Sequence, residues 1–180
     1  MKLLIGLIVA GIAGYAAEAP GPSIAKINDQ QLSGLEREFV PLAEAMPADK
    51  FNFAPSGGAL NGVRTFSQQM SHVAAVMYEV SAGILGEKNP SDIGKNENGP
   101  ATLEGKDAVV KYVKDSFAYA HKAMLSLTDK NLTELVPSPF GGTKIPRAYL
   151  AGLLVSHGFD HYGQSAIYAR MNNVVPPASR

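Results

Sequence analysis

Cysteine is absent from the 180 residues of this chain. Without it the protein can form no disulfide bond and can use no thiolate as a nucleophile or as a metal ligand. Any metal site must therefore be built from nitrogen and oxygen donors. Because the chain has no disulfide bond, its stability must come from packing or from a bound metal.

An excess of positive charge is also lacking. The chain has 16 Lys and Arg residues against 16 Asp and Glu residues. It contains no basic block and no run in which basic and aromatic residues alternate, which are the usual marks of nucleic-acid binding. We therefore expect no nucleic-acid partner. Tryptophan is absent too, but hydrophobic residues make up 46% of the chain, enough for the core of one domain.

A long uncharged apolar run occurs at the amino terminus. Residues 3–17 are apolar or small, and Lys2 precedes them. The run is too short for a relaxed membrane span and is typical of a secretory signal peptide, with cleavage favoured after Ala16. We predict a signal peptide over 1–16, a linker over 17–28 and an exported protein without a stable membrane span. A retained N-terminal anchor is the alternative.

Four later segments show the alternating three- and four-residue spacing of apolar side chains that amphipathic helices require. The first is predicted to start after Asp29 and end at Pro47, the second to run over 63–85 and stop at Gly86, the third to begin at Thr102 or Gly105, and the fourth to begin at Pro146. No alternating strand pattern is present. We predict an all-α fold, a four-helix bundle over 29–177 followed by a tail over 178–180, whose long connections permit crossovers.

Two histidines of the fourth helix carry the strongest chemical signal. His157 and His161 are four residues apart, so they lie on one helix face one turn apart, and the same face carries Leu150 and Leu154. Two imidazoles in this arrangement can bind one divalent metal ion. Two core histidines that are satisfied by ordinary protein partners are the alternative interpretation.

A third ligand could come from either of the remaining histidines. His72 lies beside the apolar stripe of the second helix, and His121 lies at the edge of the stripe of the third. We predict a site of His72, His157 and His161, because bundle cores build metal sites from facing helices. Three neutral imidazoles suit zinc, nickel, copper or iron and leave a coordination position open. The Glu of the H-E-x-x-H motif is missing, which argues against a zincin-type protease.

The same region resembles a known family. The stretch HGFDHYGQ over 157–164 and the stretch YARMNNVVPP over 168–177 resemble the C-terminal signature of the DinB superfamily, and the run from Thr65 to His72 is a weaker upstream match. The resemblance implies a four-helix bundle of unusual connectivity with a divalent metal, nickel or zinc, on the three histidines. One departure is Tyr162, where the family often has a basic residue or another His.

Three function classes remain open at this point. The first is a metal-dependent hydrolase or transferase. Some members of the superfamily are transferases or isomerases that depend on a small cytosolic thiol, and the predicted export argues against such a cofactor and favours hydrolysis. The second is a non-catalytic bundle that binds a metal or a small ligand, and the third is a structural module without a metal. An unknown small-molecule ligand is expected, and a homodimer is compatible with the sequence.

Other polar residues receive weaker predictions. Gln164 lies one turn from His161 and could support that ligand, line a pocket or simply pack. Glu79 could line the pocket or act as a base, with a surface position as the alternative. Asp160 is predicted to be solvated and unable to orient the adjacent ring, because helix neighbours point about 100° apart. His121 is predicted to lie outside the site, and Ser71 and Ser156 are not expected to act as nucleophiles.

Overall fold

A computed structural model describes residues 21–180 of the chain. The predicted signal peptide, with the first four residues of the predicted linker, lies outside the described residues. Helices α1 Ile24–Ala45, α2 Phe66–Leu85, α3 Gly105–Leu125 and α4 Arg147–Met171 form the bundle, and two short strands, β1 Leu135–Pro137 and β2 Lys144–Pro146, lie in the last connection. The prediction of an all-α four-helix bundle is confirmed. None of the helices described between 21 and 180 is long and apolar enough to cross a membrane.

The helix starts and stops follow local capping chemistry. Helix α1 begins at Ile24, because the Ser23 side chain accepts a hydrogen bond from the backbone of Lys26. Residues 24–28, predicted as linker, are therefore helical, and Asp29 is not the N-cap. Helix α2 starts with a capping box between Thr65 and Gln68 and ends, as predicted, at Gly86 in the left-handed conformation.

The sequence shows no alternating strand pattern, yet the connection before α4 contains two short strands. Strands β1 and β2 form an antiparallel ribbon in which Val136 pairs with Ile145. The ribbon is only three residues long on each side, too short for an alternating pattern to show in the sequence. Its turn contains Gly141 and Gly142, both with positive φ, which favours glycine.

Contacts between side chains define the helix directions. Helices α2 and α4 are antiparallel, because Gln69 meets Gln164 at one end and Gly83 meets Leu150 at the other. Helices α2 and α3 run the same way, as the contacts of Ser116 with Met77 and of Lys122 with Glu87 show.

Helix α1 is antiparallel to α3, because Asp29 pairs with His121 and Glu44 pairs with Lys114. Helices α1 and α2 occupy opposite corners, and each packs against α3 and α4. The connection lengths permitted crossovers, and one is present: residues 86–104 run back along the bundle, because they join the two parallel helices α2 and α3.

The core fills the space between the four helices with close-packed apolar side chains. Phe39 of α1 and Phe117 of α3 are fully buried, with ring centroids 6.1 Å apart. Helix α4 packs closely on α1 at Gly158, where a methyl group would overlap the end of the Leu35 side chain. Because Leu35 is fully buried, a larger residue next to His157 would force this side chain to shift within a packed core.

His121 joins α1 to α3 on a side of the bundle away from the other three histidines. Its Nδ1 lies 2.5 Å from Asp29 Oδ1 and its Nε2 lies 3.1 Å from Glu36 Oε2. Burial disfavours the protonated imidazole, but the hydrogen bonds to the two carboxylates outweigh it and raise the pKa of His121. The carboxylates bind opposite ring nitrogens, so the three groups cannot converge on one ion.

Candidate metal centre

Three histidines meet where α2 packs against α4. His72 and His161 are buried and His157 is half-buried. Each offers a ring nitrogen, and these nitrogens all lie within 4.8 Å of one another. The Nε2 atoms of His72 and His157 are 3.2 Å apart. Two nitrogens on one tetrahedral zinc ion, each about 2.0–2.1 Å from the metal, would be separated by about 3.3 Å. The spacing therefore suits two ligands of one ion.

A backbone carbonyl fixes the protonation of His72. Its Nδ1 lies 2.9 Å from the carbonyl oxygen of Glu97. Since a carbonyl can only accept, the proton lies on Nδ1 and the lone pair of Nε2 faces the other histidines. The long return connection between α2 and α3 delivers this carbonyl. Its turn is tight, because a methyl group at Gly94 would overlap the backbone of Gly99.

A chain of side-chain amides fixes His161 in the same way. His161 Nδ1 lies 2.5 Å from Gln69 Oε1, Gln69 Nε2 donates to Gln164 Oε1 at 3.1 Å, and Gln164 Nε2 donates to Asp160 Oδ2 at 3.1 Å. A carboxylate only accepts, so each amide must donate toward Asp160 and accept from the histidine side. This amide chain places the His161 proton on Nδ1 and leaves Nε2 free to bind a metal.

These contacts correct the prediction for Asp160 and show where Gln164 lies. Asp160 does not touch the adjacent His161 ring, as expected, but it is not merely solvated: it ends the chain that orients this ring through Gln164 and Gln69. Gln164 both belongs to this chain and lines the neighbouring cavity. Gln69 could have been found in the sequence, because it lies three residues before His72 on the polar edge of α2.

Burial keeps the three imidazoles neutral, which is the form that binds metals. Burial, together with repulsion from His161 and His72, lowers the pKa of His157 to about 3. Burial and the neighbouring His72 lower the pKa of His161 to about 4, against the opposing effect of Asp160. The pKa of His72 is also lowered by burial, although its bond to Glu97 raises it in part. All three side chains are therefore ready to act as ligands at neutral pH.

A polar cavity adjoins the histidines. Its volume is about 480 Å³, and it is open to solvent at one side. One arginine and five side-chain amides line it: Arg64, Gln68, Gln69, Asn96, Asn98 and Gln164. Two of these amides belong to the chain that supports His161. The sequence carried no signal for Arg64, Asn96 or Asn98, because they precede α2 or lie in the return connection and meet only in the folded chain.

Glu79 does not join the histidines. It lines a separate cavity with Pro137 and Pro139, and its buried Oε2 has no hydrogen-bond partner among the described residues. Burial raises the pKa of Glu79. The two serines form no catalytic pair with a histidine: Ser71 Oγ donates to the carbonyl of Ser67, and Ser156 Oγ donates to the carbonyl of Leu153.

Comparison with known proteins assigns the chain to a family. Residues 31–165 match the DinB superfamily. The chain belongs to the DinB superfamily. The matched range covers most of the bundle and includes all three histidines of the cluster, so the sequence resemblance is confirmed. No match was found among curated proteins.

Solved structures share the DinB fold at low sequence identity. A DinB-like protein from Bacillus cereus superposes with a TM-score of 0.67 at 16% identity, covering 84% of this chain and 95% of that one. A conserved protein from Enterococcus faecalis superposes with a TM-score of 0.65 at 12% identity, covering 83% of this chain and 97% of that one. The bundle topology is thus kept where the sequence has largely changed.

Gln69 is expected to support zinc binding, because it belongs to the amide chain that orients His161. Replacing Gln69 by Leu leaves the buried Nδ1–H of His161 without its acceptor, and zinc affinity is expected to fall by about 10–100-fold, the usual cost of losing such a support. Gln69→Glu keeps an acceptor at that atom and is expected to bind zinc at least ten times more tightly than Gln69→Leu. Competition titrations against a zinc chelator measure both. Equal affinity of Gln69→Leu and the wild type would show that the chain does not support the ligand.

Proposed function

We propose that this DinB superfamily protein binds one divalent transition-metal ion through His72, His157 and His161. One observation carries the proposal: three neutral imidazoles converge, and two of them have the tautomer that directs Nε2 into the cluster. The Nε2 atoms of His72 and His157 lie 3.2 Å apart, close to the spacing of two ligands on one ion. The donor set of three imidazoles favours zinc or nickel over magnesium or calcium.

We further propose that the site serves hydrolysis or group transfer on a small molecule. Three protein ligands leave a position free for substrate or water, and the adjoining cavity supplies room for a small ligand. When bound, such an ion supplies Lewis-acid chemistry and lowers the pKa of water toward about 7. The chain's own contribution is orientation: the Glu97 carbonyl holds His72, and Gln69 holds His161. Export of the protein remains part of this proposal and favours hydrolysis over thiol-dependent transfer.

One observation favours a non-catalytic metal- or ligand-binding role as the second candidate. Among residues 21–180, no carboxylate lines the cavity beside the histidines, and Glu79, for which the sequence left open a role as a base or a surface position, lines a separate cavity. A reaction at this site would therefore depend on the metal for activation of the nucleophile. A binding protein would need no such group.

The test uses protein purified without a metal-binding tag. It is incubated with zinc or nickel, freed of excess ion and analysed for its elements, and we expect about one ion per chain. The loaded and the metal-free protein are then compared on a panel of esters, amides and phosphoesters. Turnover that needs the metal supports the enzyme, and a full metal content without turnover supports the binding role. A metal content near zero after incubation would overturn both.

A further inference from the structure

The cavity beside the histidines contains a positive charge that has no acidic partner. Arg64 is half-buried, and no carboxylate among residues 21–180 forms an ion pair with it. Its guanidinium binds neutral acceptors instead: Nε donates to Asn98 Oδ1 at 2.9 Å and Nη2 donates to the backbone carbonyl of Asn96 at 3.1 Å. A guanidinium has five N–H donors, so most of them remain for a ligand.

The rest of the lining complements this charge. The cavity around Arg64 is walled by side-chain amides, which can donate hydrogen bonds but carry no negative charge. The Asn98 side chain is held by Arg64, and the Gln69 and Gln164 side chains are held by the amide chain that ends at Asp160. These three amides are therefore fixed in place before a ligand arrives, which reduces the entropy lost on binding.

Gln69 joins the cavity of Arg64 to the histidine cluster. It lines the cavity, and its Oε1 accepts from His161 Nδ1. A divalent ion on the three imidazoles would add its charge to that of Arg64, and the Glu97 carboxylate, whose Oε2 lies 3.9 Å from His72 Nδ1, would offset part of it. The net charge near the cavity would be positive, which favours an anionic ligand.

We propose that this cavity binds the oxyanion group of a small ligand, a carboxylate or a phosphate-type group, through the Arg64 guanidinium and the neighbouring amides. This inference rests on the proposed function and names the chemical class of its ligand. Arginine is well suited to the task, because its planar fork matches two oxygens of one oxyanion.

Calorimetric titration with small anions tests the inference. Methylphosphonate and propionate are titrated into zinc-loaded and metal-free protein, with propionamide as the neutral counterpart of propionate. We expect the anions to bind and propionamide not to bind. Arg64→Gln is expected to weaken anion binding by about tenfold or more, the scale of losing charged hydrogen bonds. Arg37→Gln, which removes the same charge from the exposed face of α1, is the control and is expected to bind as the wild type does.

A second variant covers the case in which Arg64→Gln loosens the turn at residues 95–98. Gln68 lines the cavity and accepts from the Thr65 amide in the capping box of α2. Gln68→Glu keeps this acceptor and is favoured at a helix start, so it is expected to fold, but it adds negative charge to the lining. Anion binding to Gln68→Glu is expected to be weakened as well.

The outcomes test anion binding at Arg64 separately from metal binding by the histidines. Failure of both anions to bind the wild type overturns the inference, as does binding that is unchanged in both Arg64→Gln and Gln68→Glu. Binding that requires zinc but not Arg64 overturns it too, because the anion would then lie on the metal alone. The metal content of each variant is measured in parallel, and a full content with no anion binding would leave the metal site in place.

Discussion

Replacing both His157 and His161 by alanine is expected to abolish the binding of zinc and nickel. One histidine cannot hold such an ion in competition with water and buffer, so the affinity is expected to fall by more than about 1000-fold, well beyond the 10–100-fold cost of losing a supporting residue. Elemental analysis of the reconstituted protein measures this directly. Thermal unfolding gives a second measure, because zinc at 100 times its dissociation constant stabilises a folded protein by about 2.7 kcal/mol. The double variant is expected to show no such gain.

His121→Ala is the matched control for this result. It removes the same side chain from a half-buried position between Asp29 and Glu36, where it takes no part in the cluster. We expect it to lower stability somewhat, because two carboxylates lose their shared partner, but to keep a full metal content. The site would be refuted if the double variant kept as much zinc as His121→Ala.

Acid is expected to destabilise the metal-free protein strongly. The pKa of His157 is lowered to about 3 and that of His161 to about 4, whereas an unfolded histidine titrates near 6.5. Between pH 6.5 and these values the unfolded chain binds protons that the folded chain does not, so unfolding becomes more favourable as the pH falls. Each histidine contributes a loss of about 1.4 kcal/mol for each pH unit within its window. Urea unfolding between pH 7 and pH 4 measures the slope.

Two single variants identify the residues responsible for this slope. His161→Gln removes one titrating group, and the pH dependence below 6.5 is expected to become shallower by about one histidine's share. His121→Gln is expected to leave the acid slope in place. The pKa of His121 is raised, so its own contribution is complete below pH 6.5 and is lost as the pH rises through the raised value. An unchanged slope in His161→Gln would show that the folded cluster protonates as freely as the unfolded chain.

Only part of the candidate site could be predicted from the spacing of residues in the sequence. Local spacing was enough to put His157 and His161 on one face, since four residues make about one turn of a helix whatever surrounds it. The same reasoning placed Gln164 one turn further along. For Asp160, the spacing argument could only exclude a direct contact with the ring of His161. Its connection to His161 passes through Gln69 of another helix, and no property of α4 alone indicates that path.

The sequence by itself determined the features that depend on near neighbours along the chain. These are the four amphipathic helices, the stop at Gly86, the start of α4 directly after Pro146, the nitrogen-and-oxygen donor set that follows from the absence of cysteine, and the spacing of the α4 histidines. Each is set within a few residues by backbone geometry, capping or side-chain type.

Only the tertiary structure decided which elements meet. His72 and His121 each lie at the edge of an apolar stripe, and the helix pattern alone does not say which of them faces α4. The order of helices around the bundle decides it: α2 packs against α4 and brings His72 to the cluster, while α3 brings His121 to α1. The parallel course of α2 and α3 forces the return connection along the bundle, which places the Glu97 carbonyl beside His72 and the Asn98 side chain beside Arg64. Such contacts join residues far apart in the chain and arise from packing of the whole core.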